Sequence, residues 1–440
     1  MGESVLTGHH AVGRSGVRDP REAALFEDAG LTRDADGLLR FGGVSVEVIA
    51  REAGTPAYVY NAEAIRRRYA ELASALAPVG HRIDYAVKAN SCFAVLELLR
   101  RLGAGCDIVS VGELRRVLLA GFSPDSVVFS GVGKRPDELA EACAARIGQI
   151  NLESLEELDA LAAQAALLEG PPVRVGIRVN PDVTVDTHPY TRTGMAAAKF
   201  GIPADQVLET ARRVTAHPRL ELTGLAMHVG SQLLDPAPFE TGAARLAELI
   251  TVLRGAGITT LRSVDLGGGL GIRYRDETPL EPARLARALL PLVTPLGLAI
   301  HVEPGRYLVG SAGILLATVL YRKHAGGTEF VVVDTGMNDL ERPSRYQAHH
   351  EIVVARDRAA PPGLVDVVGP ICESGDFLAL ARQLPRVEPG DVLAVLGAGA
   401  YGFVMASNYN ERPRPPEILA DGGQWAVVRP RERLADLLRQ

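Results

Sequence analysis

The chain has 440 residues, 47 % of them apolar, with 47 basic against 53 acidic side chains and a formal charge of −6. That length predicts two substantial domains rather than one small one, and the mild acidity argues against nucleic acid or an anionic membrane as the main partner. The four cysteines (Cys92, Cys106, Cys143 and Cys372) form no CxxC pair, so they read as reduced thiols and not as a disulfide framework or zinc site. Neither a leader with a cleavage site nor an apolar run of about 18 residues is visible. The expected setting is the cytoplasm.

In chain order, residues 1 to 20 mix Gly, Ser, His and Arg without an apolar period and are expected to be disordered. Residues 21–55 are read as an N-terminal segment contributing to a β domain, with Leu38–Val48 strand-like. From 56 to 310, short β-branched runs alternate with helical spacing. The expected strands are Arg82–Val87, Cys106–Val109, Val127–Phe129, Gln149–Asn151, Val173–Val179, Leu222–His228, Ser263–Leu266 and Leu298–Val302. Intervening stretches such as Phe93–Leu102 and Glu153–Leu168 carry helical apolar spacing. Eight strands alternating with helices over about 250 residues predict an α/β fold, a (β/α)8 TIM-like barrel. An open doubly wound sheet is the alternative. Beyond 310, the runs Glu329–Asp334, Glu351–Ala355, Leu364–Val368 and Asp391–Leu396 are Val-rich and broken by Gly and Pro. Residues 311–440 are therefore read as a separate C-terminal β domain.

In such a barrel, chemistry sits at the C-terminal ends of the strands, and phosphate often binds after strands seven and eight. Strand one ends in Lys88-Ala89-Asn90. The whole chain has only four lysines (Lys88, Lys134, Lys199 and Lys323), so a mechanism needing one has few candidates. A partly desolvated lysine has a lowered pKa and forms Schiff bases; the plainer reading of Lys88 is a surface lysine. Strand six ends in His228-Val229-Gly230-Ser231. The ring would lie against a flat cofactor and Ser231 would reach a phosphate, unless His228 is only a packed histidine. Gly267-Gly268-Gly269 ends strand seven and lets backbone N–H groups approach an anion, although three glycines also make an ordinary turn. Strand eight ends in Glu303-Pro304-Gly305-Arg306. Glu303 would keep a pyridine nitrogen protonated and Arg306 would hold a phosphate or carboxylate; a surface Glu–Arg pair is the alternative. Ser130-Gly131-Val132-Gly133-Lys134 lacks GxxxxGK[ST] spacing, and there is no GxSxG elbow and no set with metal-ligand spacing. No metal is expected.

The motifs YAVKAN (85–90), HVGSQ (228–232), GGG (267–269), EPGR (303–306) and CESGD (372–376) resemble, in that order, the fold-type III pyridoxal-phosphate decarboxylases. VFSGVGK (128–134), THPYTRTGMAAAKFGI (187–202), DTGMNDLERPSRYQAHHEI (334–352) and AYGFVMASNYNERPRP (400–415) resemble the diaminopimelate decarboxylases within that family. The resemblance runs from about residue 30 to the C-terminus. It implies an alanine-racemase-like architecture, the barrel followed by a β-sandwich or β-barrel domain, and a homodimer with two shared sites. It also implies pyridoxal 5′-phosphate as cofactor and a carboxy-lyase that converts meso-2,6-diaminopimelate to L-lysine and CO2, the last step of lysine biosynthesis. Lys88 would hold the cofactor covalently, His228 would stack on it and Glu303 would face its nitrogen. Arg178, Ser231, Gly267, Gly268, Gly269, Pro304, Gly305, Arg306 and Tyr401 would complete the cofactor site. Arg306, Arg342, Tyr346, Glu373 and Tyr401 match substrate-binding positions, with Arg342 and Glu373 suited to the distal amino-carboxylate. Cys372 matches a cysteine supplied across the dimer interface, and either it or Lys88 would return a proton to the substrate carbon; an ordinary buried thiol is its plainer reading. Arg345, Gln347, Thr191-Arg192-Thr193-Gly194 and Gly397 depart from the family pattern without removing a catalytic group. The alternative substrates on the same fold are ornithine, lysine or a carrier-bound glutamate. A non-catalytic cofactor-binding protein is the third reading, and the presence of both Lys88 and the second domain weighs against it.

Overall fold

The computed structural model describes residues 20–183 and 199–439. The expected disordered segment 1–20, apart from its last residue, and most of the 187–202 motif lie outside the described residues.

Eight parallel strands close on themselves: β1 (His81–Ala86), β2 (Gly105–Ile108), β3 (Val127–Phe129), β4 (Gln149–Leu152), β5 (Val173–Asn180), β6 (Leu220–Met227), β7 (Ser263–Asp265) and β8 (Ala299–Val302). Closure is decided by two pairings. Ile300, His301 and Val302 of β8 face His81, Arg82 and Ile83 of β1, and β4 pairs with β5 through Ile150, Asn151 and Leu152. The open sheet is thereby excluded. All eight expected strands are present within about two residues at either end, the usual scatter of element boundaries. A short extra strand, Ile202–Pro203, pairs with the end of β5.

The helices form for local reasons. Phe93–Arg101 turns Val95, Leu96 and Leu99 inward, one face of a 3.6-residue period. Leu155–Ala166 starts two residues later than its spacing suggests. Ser154 caps it by accepting from the Glu157 N–H at 3.1 Å, which leaves Glu153 at the end of β4, where its carboxylate has other partners.

A second, mixed sheet holds the late strands. Gly313–Ala325 is central and pairs with Thr328–Val333, Val392–Val395 and, unexpectedly, Ala57–Asn61. That early strand also pairs with Glu417–Asp421. The sequence reading placed residues 56–310 in the barrel, so Ala57–Asn61 is a correction. Its five residues are all buried, and a short run apolar on both faces does not say which sheet it will join. Leu31–Arg33, Leu39–Phe41 and Val44–Ser45 form a small sheet of their own. Leu25, Phe26, Phe41 and Ile49 pack with Val59, Ile314, Leu316 and Leu396 of the mixed sheet, and the Leu39 N–H donates to the Ala355 carbonyl at 2.8 Å.

The two large sheets meet at the mouth of the barrel. Asn90 Nδ2 donates to the Gly399 carbonyl at 3.0 Å, and the Tyr401 N–H donates to the Ala89 carbonyl at 2.8 Å. The segment carrying Lys88 is therefore held by the segment carrying Tyr401.

Candidate active site

Lys88 lies in a single 3-10 turn, Val87–Ala89, directly after β1. Its Nζ donates to Asp107 Oδ2 at 2.6 Å, and its side chain keeps 36 % of its surface open while Asp107 keeps none. Burial pulls the Lys88 ammonium toward deprotonation, but the charges of Asp107 and Glu303 outweigh it and hold the group cationic. At the rim, burial pushes the Glu113 carboxyl up to about 7, although the Val109 N–H donates to it at 2.8 Å.

The far wall is a buried carboxyl pair. Asp265, ending β7, accepts from the Gly267 N–H at 2.8 Å and neighbours Glu303, which follows β8. Burial, then the charges of Asp107 and Asp265, push Glu303 well above the usual carboxylate range. Its Oε1 is buried and has no hydrogen-bond partner. Below this pair, His301 Nδ1 lies 3.2 Å from the buried Asp84.

Gly267 and Gly269 have φ of +72° and +112°, conformations that favour glycine. Space is as strict as conformation here. A Cβ on Gly268 would stand 2.0 Å from the Glu303 carbonyl oxygen, and one on Gly269 would stand 2.3 Å from the Gly230 carbonyl oxygen. The Gly268 N–H donates to His228 Nδ1 at 3.3 Å. Burial, Arg178 and Lys88 push His228 well below its ordinary value, so the ring is neutral. Arg178, on β5, donates to Glu153 Oε1 at 2.7 Å and lies 4.9 Å from the Phe200 ring centroid.

Beyond the glycines is a cationic wall. Arg306 Nη1 donates to the Tyr274 hydroxyl at 2.6 Å and Nη2 to Ser231 Oγ at 3.0 Å, and its Cζ lies 5.0 Å from the Tyr401 ring centroid. Arg342 Nε donates to His350 Nε2 at 3.2 Å, and its Cζ lies 5.0 Å and 6.0 Å from the Tyr274 and Tyr346 centroids. Both arginines are buried. Among the described residues, neither has a carboxylate within ion-pair distance.

A match to the family model described as pyridoxal-dependent decarboxylase, pyridoxal binding domain, spans residues 62–310. A diaminopimelate decarboxylase of Pseudomonas aeruginosa is 48 % identical over 405 residues, covering 92 % of this chain and 96 % of the relative. The chain belongs to the diaminopimelate decarboxylase family. Solved structures of that family agree. The Helicobacter pylori diaminopimelate decarboxylase complexed with L-lysine is 39 % identical with a TM-score of 0.86, over 89 % of this chain and 98 % of that one. The M. jannaschii diaminopimelate decarboxylase in complex with L-lysine is 33 % identical with a TM-score of 0.88, over 93 % and 96 %.

The diaminopimelate decarboxylase family uses pyridoxal 5′-phosphate, and the residues present fit it. The orphaned Glu303 Oε1 offers an acceptor for a protonated ring nitrogen. The crowded glycine turn admits an anion against backbone but no side chain. Lys88 is the lysine that opens onto the same mouth. Lys134, in the discarded phosphate-loop lookalike, is occupied by Glu157 and by the Gly131 and Asn151 carbonyls.

Of the residues expected from sequence, Lys88, His228, Ser231, the three glycines, Glu303, Arg306, Arg342, Tyr346 and Tyr401 come together in one chain. Pro304 accepts from the Ala86 N–H at 3.2 Å, and a Cβ on Gly305 would stand 2.9 Å from that of Ala89. Those two residues seat the Glu303 turn against the Lys88 turn. Cys372 and Glu373 are not brought to this cluster. Cys372 is exposed and its N–H donates to Asn410 Oδ1 at 2.9 Å, while Glu373 hydrogen-bonds Tyr409. Sequence reasoning missed Asp107, Asp265, Tyr274 and His350. A lone carboxylate inside an apolar barrel strand was a usable signal for Asp107 and Asp265; His350 falls within the 334–352 motif without being singled out, and Tyr274 lies in none of the motifs.

Proposed function

We propose that the chain decarboxylates meso-2,6-diaminopimelate to L-lysine and CO2, the last step of lysine biosynthesis. The observation that carries this reading is the pair of buried arginines, Arg306 and Arg342, which among the described residues have no carboxylate within ion-pair distance and line the same mouth as Lys88. A substrate with an anionic group besides the reacting one answers both cations; ornithine or lysine does not. Purified protein supplied with pyridoxal phosphate should release CO2 and L-lysine from the meso isomer. Failure to form lysine, or faster turnover of ornithine, would sink the reading.

When bound, the cofactor supplies an electron sink for the carbanion left by loss of CO2. Lys88 Nζ, oriented by Asp107 Oδ2, would hold it covalently. His228 would lie against its ring and Glu303 Oε1 would face its nitrogen. Ser231, Arg306, Tyr401 and the N–H groups of Gly267, Gly268 and Gly269 would line its phosphate and the substrate carboxylate, and Arg178 would support His228. Arg342 and Tyr346 would bind the distal end of the substrate.

Cys372 and Glu373 act, in this reading, across a homodimer interface. Their exposure on the surface of this chain, away from the Lys88 cluster, supports supply to a second chain. Lys88 Nζ and a partner's thiol then both reach the carbon that must be reprotonated. Mixing inactive Lys88→Ala and Cys372→Ala chains should restore activity by forming one intact site; lack of recovery would refute the shared site. Among the described residues no helix is long and apolar enough to cross a membrane, and no cysteine is disulfide-bonded. Both support a cytoplasmic setting.

A further inference from the structure

We propose that Tyr274 is a positioning residue that orients Arg306 and Arg342 relative to one another, so that the pair selects a substrate anionic at both ends. This rests on the substrate reading above and adds a residue to it. Tyr274 lies five residues beyond the glycine turn and is buried. One side chain touches both arginines. Its hydroxyl accepts from Arg306 Nη1 at 2.6 Å, and the Arg342 Cζ lies 5.0 Å from its ring centroid. His350 meets the same ring edge-on, with centroids 5.3 Å apart at 75°. Gly397 also packs close to the ring: a Cβ there would stand 3.2 Å from both Tyr274 Cδ1 and Cε1.

The electrostatics explain why a tyrosine is used. Two buried guanidiniums with no carboxylate beside them among the described residues repel each other, and a carboxylate placed between them would neutralise the anion site. A phenol oxygen takes a charge-assisted hydrogen bond and a ring face takes a cation, while the net positive charge remains for the ligand. Burial alone would raise the Tyr274 pKa; Arg306 and Arg342 overcome it and hold the phenol below its ordinary value.

Each arginine is also fixed on a second side. Arg306 Nη2 is held by Ser231. Arg342 Nε is held by His350 Nε2, whose Nδ1 lies 2.8 Å from the Leu396 carbonyl oxygen. Burial and Arg342 push His350 down to about 3, so its ring is neutral and Nε2 is free to accept. Only the remaining N–H groups are left for a ligand, in directions that Tyr274 relates to each other.

The test uses the holoenzyme. Tyr274→Phe keeps the ring and removes the acceptor for Arg306, and the KM for meso-diaminopimelate is expected to rise about tenfold. The accompanying fall in kcat should be at least about fivefold smaller than the rise in KM. Calorimetric binding of pimelate, a seven-carbon dicarboxylate, should weaken by about the same factor, while hexanoate, its monocarboxylate analogue, changes less than about twofold. Gly397→Ala, which crowds the ring and keeps the hydroxyl, should weaken pimelate in the same direction. Unchanged pimelate affinity, equal losses for the two acids, or a fall in cofactor absorbance and melting temperature that accounts for the change would overturn the proposal. A wild-type protein that binds pimelate through Tyr274 yet makes no lysine would refute the substrate reading and leave the positioning role standing.

Discussion

At the N-terminal end of the barrel, a cavity of about 820 Å3 opens among Asp125, Arg174, Arg219, Glu221 and Arg262. At the C-terminal end, Lys88, Glu303, Arg306 and Arg342 share a mouth partly covered by the second sheet. Charge is plentiful at both ends, but only one end is complete. Below, Arg174 pairs with Asp125 and Arg262 with Glu221. Arg219 donates to the carbonyls of Gly170 and Leu168, each at 2.6 Å. Above, among the described residues, two arginines have no carboxylate within ion-pair distance and Glu303 Oε1 has no donor. Buried polar groups left unanswered by the chain mark where a ligand completes them.

The strongest way to break this contrast is Lys88→Ala. The expected loss in kcat exceeds about a thousandfold, with disappearance of the visible absorption of bound cofactor. A surviving band would move the attachment to another lysine. Next, Arg342→Ala removes a buried cation from the incomplete end, and a rise in KM for meso-diaminopimelate of about a hundredfold is expected. A change under threefold would mean that the missing acid partner is not the substrate.

Glu432 sharpens the contrast from a third location, because it is an acid whose partners are all present. Arg414 holds it through side chain and backbone N–H, Asn408 donates at 2.7 Å, and its pKa falls from 4.5 to about 2. A lowered carboxyl pKa contributes stability above pH 4.5 that is lost as pH falls through 2. Glu432→Gln should therefore cost about 1 kcal/mol at pH 7, allowing for its partial exposure. Denaturant titrations of the two chains should converge toward pH 2; a constant gap would assign the effect to packing. The smallest effect belongs to the lower cavity. Arg174→Ala should change kcat/KM by less than about twofold, and a tenfold loss would tie that cavity to the reaction.

Much of the site was legible before any coordinates. The strand period located the ends of β1, β6, β7 and β8, and the barrel rule assigned those ends to chemistry. Asp107 escaped because, between Cys106 and Ile108, it reads as the interior of a strand. Tyr274 escaped because a loop has no period from which to infer its direction. Ala57–Asn61 was included in the barrel domain because burial pattern does not encode pairing partners. Arg345, which departs from the family pattern, turns to Glu341 at 3.1 Å and is half exposed, so it adds no further cation to the buried pair.

By itself, then, the sequence determined the alternating fold, the scarcity of lysine that singles out Lys88, and the order of motifs along the chain. Those depend on residue type and on spacings of a few residues, which local stereochemistry translates directly. Only the tertiary structure decided which polar groups find partners. Arg306 meets Tyr274 across 32 residues and Ser231 across 75, and Asn90 meets Gly399 across 309. Whether a buried charge is answered is a property of three-dimensional neighbours, and the unanswered ones define this site.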